Sequence, residues 1–476
     1  MARPKVAVFN MEIVGTVNPI LPVVAELVQR KCDVRYYLSK ETYVKDVTAA
    51  GATPVKFDDY FTRWEELMEE ESEWLKTGGF EKEAFDALPA KDDAMMIRMM
   101  VFSLCGGCCL ARRLTEVWCQ DWRPDLVLYN VMLVHPFLAA KKLGIKTCSF
   151  ATYPGPGTPM HLYAQDFDER EDFDNQLALH PSLLAANGIA EKVFGVDVLQ
   201  TQLQCRFFSN EANIVFNIPE LQGPVNDYQL KRLEGSQFHW VGTTDPELRG
   251  LVPRVEADED LDGTEAPWRT TPDVKVVLVS LGSLTVEYRW DVPEHKSSTG
   301  WITGKEYSLR LWNELLESFA GREDVRVILS IGKRDEARAA LGELPSNFFA
   351  FTFFDQVSAL RHTDVFVTHG GANSIKEAIL LGVPMIVTPF CVDQPTNGQA
   401  VERQGAGRCF NDLMATPKGE LSAVLEDALR EGSTVARQWR QRSLELGQAL
   451  RRGGGAPAAA EACLSLIIDS ASKGGA

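Results

Sequence analysis

The sequence is short of positive charge. Its 49 Lys and Arg stand against 66 Asp and Glu, a formal net charge of −17 over 476 residues. Nucleic acid and anionic membrane surfaces are polyanions that such a chain repels, so neither is an expected partner. Long apolar runs are missing as well. No stretch approaches the roughly 20 apolar residues that span a bilayer. The opening MARPKVAVFNMEIVG has too brief an apolar run for a signal peptide. A cysteine framework is also absent, because the 10 cysteines are spread over a long chain without paired spacing. These absences exclude a disulfide scaffold and a membrane-spanning protein, and they point to a reduced, cytoplasmic setting. What is present is ordinary globular composition, 45% hydrophobic and 24% charged, at a length that suggests two compact domains.

The chain opens with a β-branched apolar run at 5–9, then apolar positions Ile20, Leu21, Val24, Leu27 and Val28 on one helical face, then a second run at 34–38. That order is a βαβ unit and implies a parallel sheet. Between 57 and 116 the composition is helical, with a Met-rich stretch at Met95, Met96, Met99 and Met100. Strand-like runs return at 125–129 and 146–151. A second alternating series starts at VKVVLVS, from Val274, and continues with a helix over 306–319 and strands at 325–330, 348–353, 364–367 and 384–388. The fold class is therefore α/β, with two doubly wound halves. Expected domains are 1–244, an acidic, Pro-bearing linker at 245–273, a second half at 274–446 and a helical segment at 447–476. Open parallel sheets bind ligands outside the carboxyl ends of their strands, so a cleft between the halves is the expected site.

The segment THGGANSIKE at 368–377 carries the most chemistry. It follows a strand and opens a helix, so Gly370 and Gly371 let backbone approach a ligand while the helix N-terminus offers free N–H donors to phosphate. The competing reading makes Ser374 and Glu377 an S-x-x-E capping box and His369 a turn residue. Cys105-x-x-Cys108-Cys109 has metal-like spacing, but no second cluster completes it, and small helical core residues are the better reading.

The text around that segment, FTFFDQVSALRHTDVFVTHGGANSIKEAILLGVPMIVTPFCVDQPTNGQAVERQGAG, resembles the donor-binding region of family 1 UDP-glycosyltransferases, most nearly the macrolide branch. GTVNPILPVVAELVQRK, IVFNIPELQGP, FHWVG and VVLVSLGSL recur in the family's order. The resemblance covers most of the chain and is thinnest at about 40–120 and 155–205. It implies the GT-B architecture of two facing Rossmann-like domains, the first for the acceptor and the second for the nucleotide sugar. By position, Phe353 matches the aromatic that stacks on uracil, and Gln356 the glutamine beside the base. Asp355 stands where the family usually has proline. Ser283, His369, Asn373 and Ser374 match contacts to the diphosphate, and Glu377 matches the carboxylate for the ribose hydroxyls. Asp393 and Gln394 match the pair that holds the sugar. No acidic D-x-D is placed to hold a divalent ion, so no metal and no cofactor beyond the UDP-sugar donor are expected.

The family pattern fails at the base. Its catalytic histidine position is Thr16, in GTVNP, and the aspartate that orients it is Asn130. Neither residue is basic at neutral pH. Three explanations stay open. Glu12 or His135, in the same two connections, acts as base; the acceptor arrives ionised or strongly nucleophilic; or the chain binds nucleotide sugar without turning it over. The bland readings are a solvated loop carboxylate for Glu12 and a helix-start residue for His135. The segment 288–305 looks like an insertion, either a lid over the donor or a plain surface loop. The expected activity is inverting, metal-independent transfer of a hexose, glucose from UDP-glucose, to a small lipophilic acceptor by a monomer or weak dimer.

Overall fold

The computed structural model describes residues 3–57, 66–77, 79–80, 93–152, 154–156, 180–201, 207–223, 230–231, 233–245, 266–282 and 284–473. Ser283, most of the linker (246–265) and the side chains of Met95, Met96 and Met99 lie outside the described residues.

Strand β1 (Lys5–Phe9) is buried on both faces, with Val6 and Val8 in one apolar cluster and Ala7 and Phe9 in the other. That is why it reads as an unbroken hydrophobic run. Helix α1 (Val14–Gln29) returns the chain to β2 (Asp33–Leu38), parallel to β1. With β3 (Thr53–Lys56), β4 (Leu126–Asn130), β5 (Lys146–Ala151), β6 (Ala212–Val215) and β7 (Phe238–Trp240), they form a seven-stranded parallel sheet in the order β3-β2-β1-β4-β5-β6-β7. Helices α2 (Asp93–Gln120), α3 (Val134–Leu143) and α4 (Pro181–Phe194) cover one face. Cys105, Cys108 and Cys109 lie fully buried in α2 within that core, and burial pushes their thiols up, the state least able to bind metal.

The second half repeats the plan. β8 (Lys275–Ser280), β11 (Val325–Ser330), β12 (Phe348–Phe351), β13 (Val365–Thr368), β14 (Met385–Val387) and β15 (Gly407–Cys409) pair in parallel as β12-β11-β8-β13-β14-β15. A separate antiparallel hairpin, β9 (Pro293–Ser297) and β10 (Gly300–Thr303), leads into helix α5 (Gly304–Phe319) through a Thr303–Glu306 capping box. The 288–305 insertion thus builds an ordered hairpin that enters a helix.

The remaining helices used below are α6 (Gln356–Leu360), α7 (Ala372–Leu381), α8 (Gln394–Arg403), α9 (Thr434–Arg452) and α10 (Gly455–Lys473). α10 places Ala456, Ala459, Ala460 and Cys463, one face at helical spacing, in the first domain's core beside Ile20 and Val24 of α1. The far end of the linker is packed too, for Trp268 is buried against Phe351 and Phe354. In each sheet the strand order reverses at one point, between β1 and β4 and between β8 and β13. A crevice opens at such a switch point. Among the described residues no helix is long and apolar enough to cross a membrane.

Candidate functional site

Phe351 and Phe354 are anchored by Trp268, with ring centroids 6.2 and 5.6 Å away. Between them Phe353 projects outward, 77% exposed. A phenyl ring so held, with both faces open, is a stacking platform. Asp355, in place of the expected proline, caps α6: its Oδ1 accepts from the backbone N–H of Val357 (3.0 Å) and Ser358 (3.2 Å). The cap puts Gln356 at the head of the helix, where its Nε2 donates to Glu377 Oε2 (2.6 Å) and Ser374 Oγ (3.1 Å).

That contact decides between the two readings of the S-x-x-E pattern. α7 begins at Ala372 with Gly371 as an uncapped N-terminal residue, and Ser374 and Glu377 face Gln356 instead of the helix end. No capping box forms. The uncapped N-terminus keeps its N–H donors available for an anion. Burial raises the Glu377 carboxyl above the usual range; Gln356 and Lys376 oppose this, while Asp245 and Asp355 add to it.

His369 lies between two glycines. A Cβ on Gly282 or on Gly371 would fall 2.6 or 2.5 Å from its Nε2, so only glycine fits at either place. Its Nδ1 is 3.3 Å from the Ser280 carbonyl, which can only accept, so Nδ1 carries the proton. Burial lowers the ring's pKa to about 4. Gly370 turns at φ +88, and its carbonyl accepts from Asn397 Nδ2 (2.9 Å). Asn397 also donates to Asp393 Oδ2 (2.9 Å), which ties the glycine corner to the head of α8. Gln394 is turned away from the cleft. Its Oε1 accepts from the N–H of Phe390 (2.8 Å) and Cys391 (3.1 Å), and it is 4% exposed.

The two halves meet at α7. Asn373 Nδ2 donates to the Gly15 carbonyl (3.1 Å), and Lys376 Nζ to the Phe216 carbonyl (2.9 Å). Lys376 is 6% exposed, and burial lowers its pKa to about 8 against the opposing pull of Glu377 and Asp393. Spacing alone does not reveal it, since an internal helical lysine normally reads as solvated. Between pH 8 and 10.5 the unfolded chain holds the lysine proton more tightly than the folded one, so this residue's contribution to stability rises with pH across that window. Urea melts near pH 7 and near pH 10 are expected to show wild type gaining on the order of 2 kcal/mol relative to Lys376→Met. A constant gap would mean that the ammonium is not desolvated.

On the first domain, Thr16 and Asn130 stand at the switch point but are turned inward. Thr16 sits in the first turn of α1, not in a loop, and its hydroxyl donates to the Met11 carbonyl (2.5 Å). Asn130 donates to Asn10 Oδ1 (3.0 Å) and accepts from the Met132 N–H (3.0 Å). Asn10, at the end of β1, is a member of this group that sequence reading missed.

Neither candidate base is free for the work. Glu12 braces the end of β2: Oε1 accepts from the Ser39 N–H (2.5 Å) and hydroxyl (2.8 Å), and Oε2 from the Lys40 N–H (2.8 Å). His135 is buried against Phe57 (6.1 Å, 19°) and Phe9 (5.5 Å, 84°), and burial drops its pKa to about 3. Ile13 and Val14, beside Gly15, are 50% and 60% exposed and give this rim an apolar surface. The structure thus gathers Phe353, Gln356, Ser374 and Glu377 into one cluster and links the glycine corner of His369 to Asp393, while among the described residues the candidate bases Glu12 and His135 are both engaged by neighbours.

Residues 339–434 match the family described as UDP-glucoronosyl and UDP-glucosyl transferase. The chain is 33% identical over 145 residues to the uncharacterized UDP-glucosyltransferase YojK of Bacillus subtilis, a match that spans 30% of this chain and only 34% of that protein. It is 25% identical over 453 residues to the oleandomycin glycosyltransferase of Streptomyces antibioticus, covering 93% and 87% of the two chains. The solved structure of the glycotransferase of kitacinnamycin superposes with a TM-score of 0.67 at 24% identity, over 97% and 98% of the chains. The fold is that of the GT-B glycosyltransferases, two parallel sheets of seven and six strands facing one cleft.

Proposed function

We propose that the chain is a nucleotide-sugar glycosyltransferase of the UDP-glucosyl transferase kind, which moves a hexose, glucose from UDP-glucose, to a small apolar acceptor without a resident general base. The observation that carries this reading is the Phe353–Gln356–Ser374–Glu377 cluster beside the uncapped head of α7. An exposed ring takes the base, a buried carboxylate takes the ribose hydroxyls, and the free N–H groups at the head of α7, beside His369, face the diphosphate. These donors stabilise the charge that accumulates on the leaving group, the role a metal fills in other transferases.

The acceptor atom attacks the anomeric carbon from the side opposite the diphosphate, and the bond to the diphosphate oxygen breaks. Thr16, Asn130, Glu12 and His135 offer no ready site for the acceptor's proton. The substrate therefore loses that proton to solvent before transfer, and positioning against the apolar rim at Ile13 and Val14 supplies the rate. With phenolic acceptors, kcat/KM is expected to rise about tenfold per pH unit up to the acceptor's own pKa and then level off. A plateau at one pH for acceptors of different acidity would reveal a protein base instead. The replaced dyad also favours a second reading, a silent nucleotide-sugar binder. UDP release that grows with added acceptor supports transfer, whereas saturable UDP-glucose binding without release supports the binder.

A further inference from the structure

The turn at 389–394 presents Asp393, and it is strained. Val392 adopts φ 59, a left-handed conformation that disfavours a β-branched residue and persists only where its surroundings over-determine it. Those surroundings are visible. The Tyr307 hydroxyl donates to the Pro389 carbonyl (2.9 Å) and His295 Nδ1 to the Phe390 carbonyl (2.8 Å), while Gln394 Oε1 takes the N–H groups of Phe390 and Cys391. The His295 ring also stacks on Phe390 (5.7 Å, 22°) and meets Tyr307 edge-on (5.2 Å, 64°).

His295 belongs to the β9–β10 hairpin, which is itself pinned from behind. Ser297 Oγ and the Ser298 N–H each donate to Asp412 at 2.9 Å. Ile302 enters the second domain's core. The hairpin therefore buttresses the turn from its buried side, and from Asp393 the bridge through Asn397 reaches the glycine corner.

We propose that this hairpin sets donor-sugar selectivity, with His295 as the positioning residue that holds the 389–392 backbone so that Asp393 meets the sugar, and with Gln394 serving the turn instead of the sugar. This rests on the reading of Asp393 as the sugar-facing carboxylate. The uridine platform at Phe353 and Glu377 makes none of these contacts, so loosening the turn affects sugar and nucleotide differently.

The test uses the full chain with UDP, UDP-glucose and UDP-galactose. His295→Phe keeps the ring stack and removes the donor; His295→Asn restores an N–H near the Nδ1 position. The phenylalanine variant is expected to leave the UDP Kd within about twofold, to raise the KM for UDP-glucose about fivefold, the scale of one hydrogen bond, and to narrow the preference between the two sugars. The asparagine variant is expected to recover most of that loss. Tyr307→Phe removes only the hydroxyl bond to Pro389 and is expected to shift the same quantities in the same direction. Equal weakening of UDP and UDP-glucose, or no change in either sugar's KM, overturns the proposal. A wild-type chain with no affinity for UDP defeats the donor-site reading itself, and this inference with it.

Discussion

On a neutral phenolic acceptor, Thr16→His combined with Asn130→Asp is expected to raise kcat by roughly 10²-fold, the lower end of what a positioned general base contributes. The strands allow it. Phe9 pairs with Tyr129 across β1 and β4, so the residues that follow, Asn10 and Asn130, lie side by side at the switch point, and Thr16 opens the helix just beyond. An aspartate at 130 still accepts from the Met132 N–H. The Asn10 amide, whose Nδ2 is buried beside the Tyr36 hydroxyl, can turn over and donate to the new carboxylate. Each carboxylate oxygen keeps a second lone pair, and one of these can accept from an imidazole at 16, which fixes its tautomer. Asn130→Asp alone is expected to change little, because a carboxylate with no histidine to orient takes no proton from the acceptor. The pH profile is the sharper measurement: the double variant is expected to follow an imidazole, and wild type the acceptor. If the double variant gains nothing on phenols while acidic acceptors still react, the acceptor pocket limits the reaction and the base does not.

How far this could be read from the chain depends on whether a residue's meaning is local. Strand β1 and the α/β alternation were legible because strands buried on both faces must be apolar throughout, and the helix heads at 14 and 372 follow them at once. The cluster at Phe353, Gln356, Ser374 and Glu377 was named position by position, yet the S-x-x-E pattern fits a capping box equally well. Only the placement of α6, fixed by Asp355 as its cap, turns Ser374 and Glu377 toward Gln356. Long-range partners were invisible. Glu12 is bound by Ser39 and Lys40, Lys376 by Phe216, and Gln394 by the backbone of its own turn. Nothing in the spacing of the first two pairs announces them. The 288–305 insertion stayed open between a lid and a surface loop for a related reason, since whether a hairpin covers a site or props it from behind depends on which core its apolar residues enter. Here Ile302 and His295 both turn inward.

Glu377→Ala is expected to weaken UDP about 100-fold, and 2′-deoxy-UDP by much less. Charge-assisted hydrogen bonds run to roughly 1.5–3 kcal/mol each, and a buried carboxylate that accepts two ribose hydroxyls makes two of them. The deoxy nucleotide can make only one. The affinity ratio between the two nucleotides isolates the ribose contact from any general disturbance of α7, which would weaken both alike. Gln356 is the internal control. In the free protein it donates to Glu377 and Ser374, so Gln356→Ala removes a neighbour of the carboxylate without removing the acceptor, and a smaller, ribose-independent loss follows. Acidity gives a second reading of the same residue. Burial raises the Glu377 pKa, and protonation converts an acceptor of two hydroxyls into a neutral acid, so wild-type preference for UDP over the deoxy form is expected to decay as pH falls through that raised value. The alanine variant has no carboxyl to titrate, and its preference is expected to stay flat. Calorimetry with both nucleotides across that range decides the matter: equal losses on both, or a preference that ignores pH in wild type, would remove Glu377 from the ribose and with it the nucleotide half of the site.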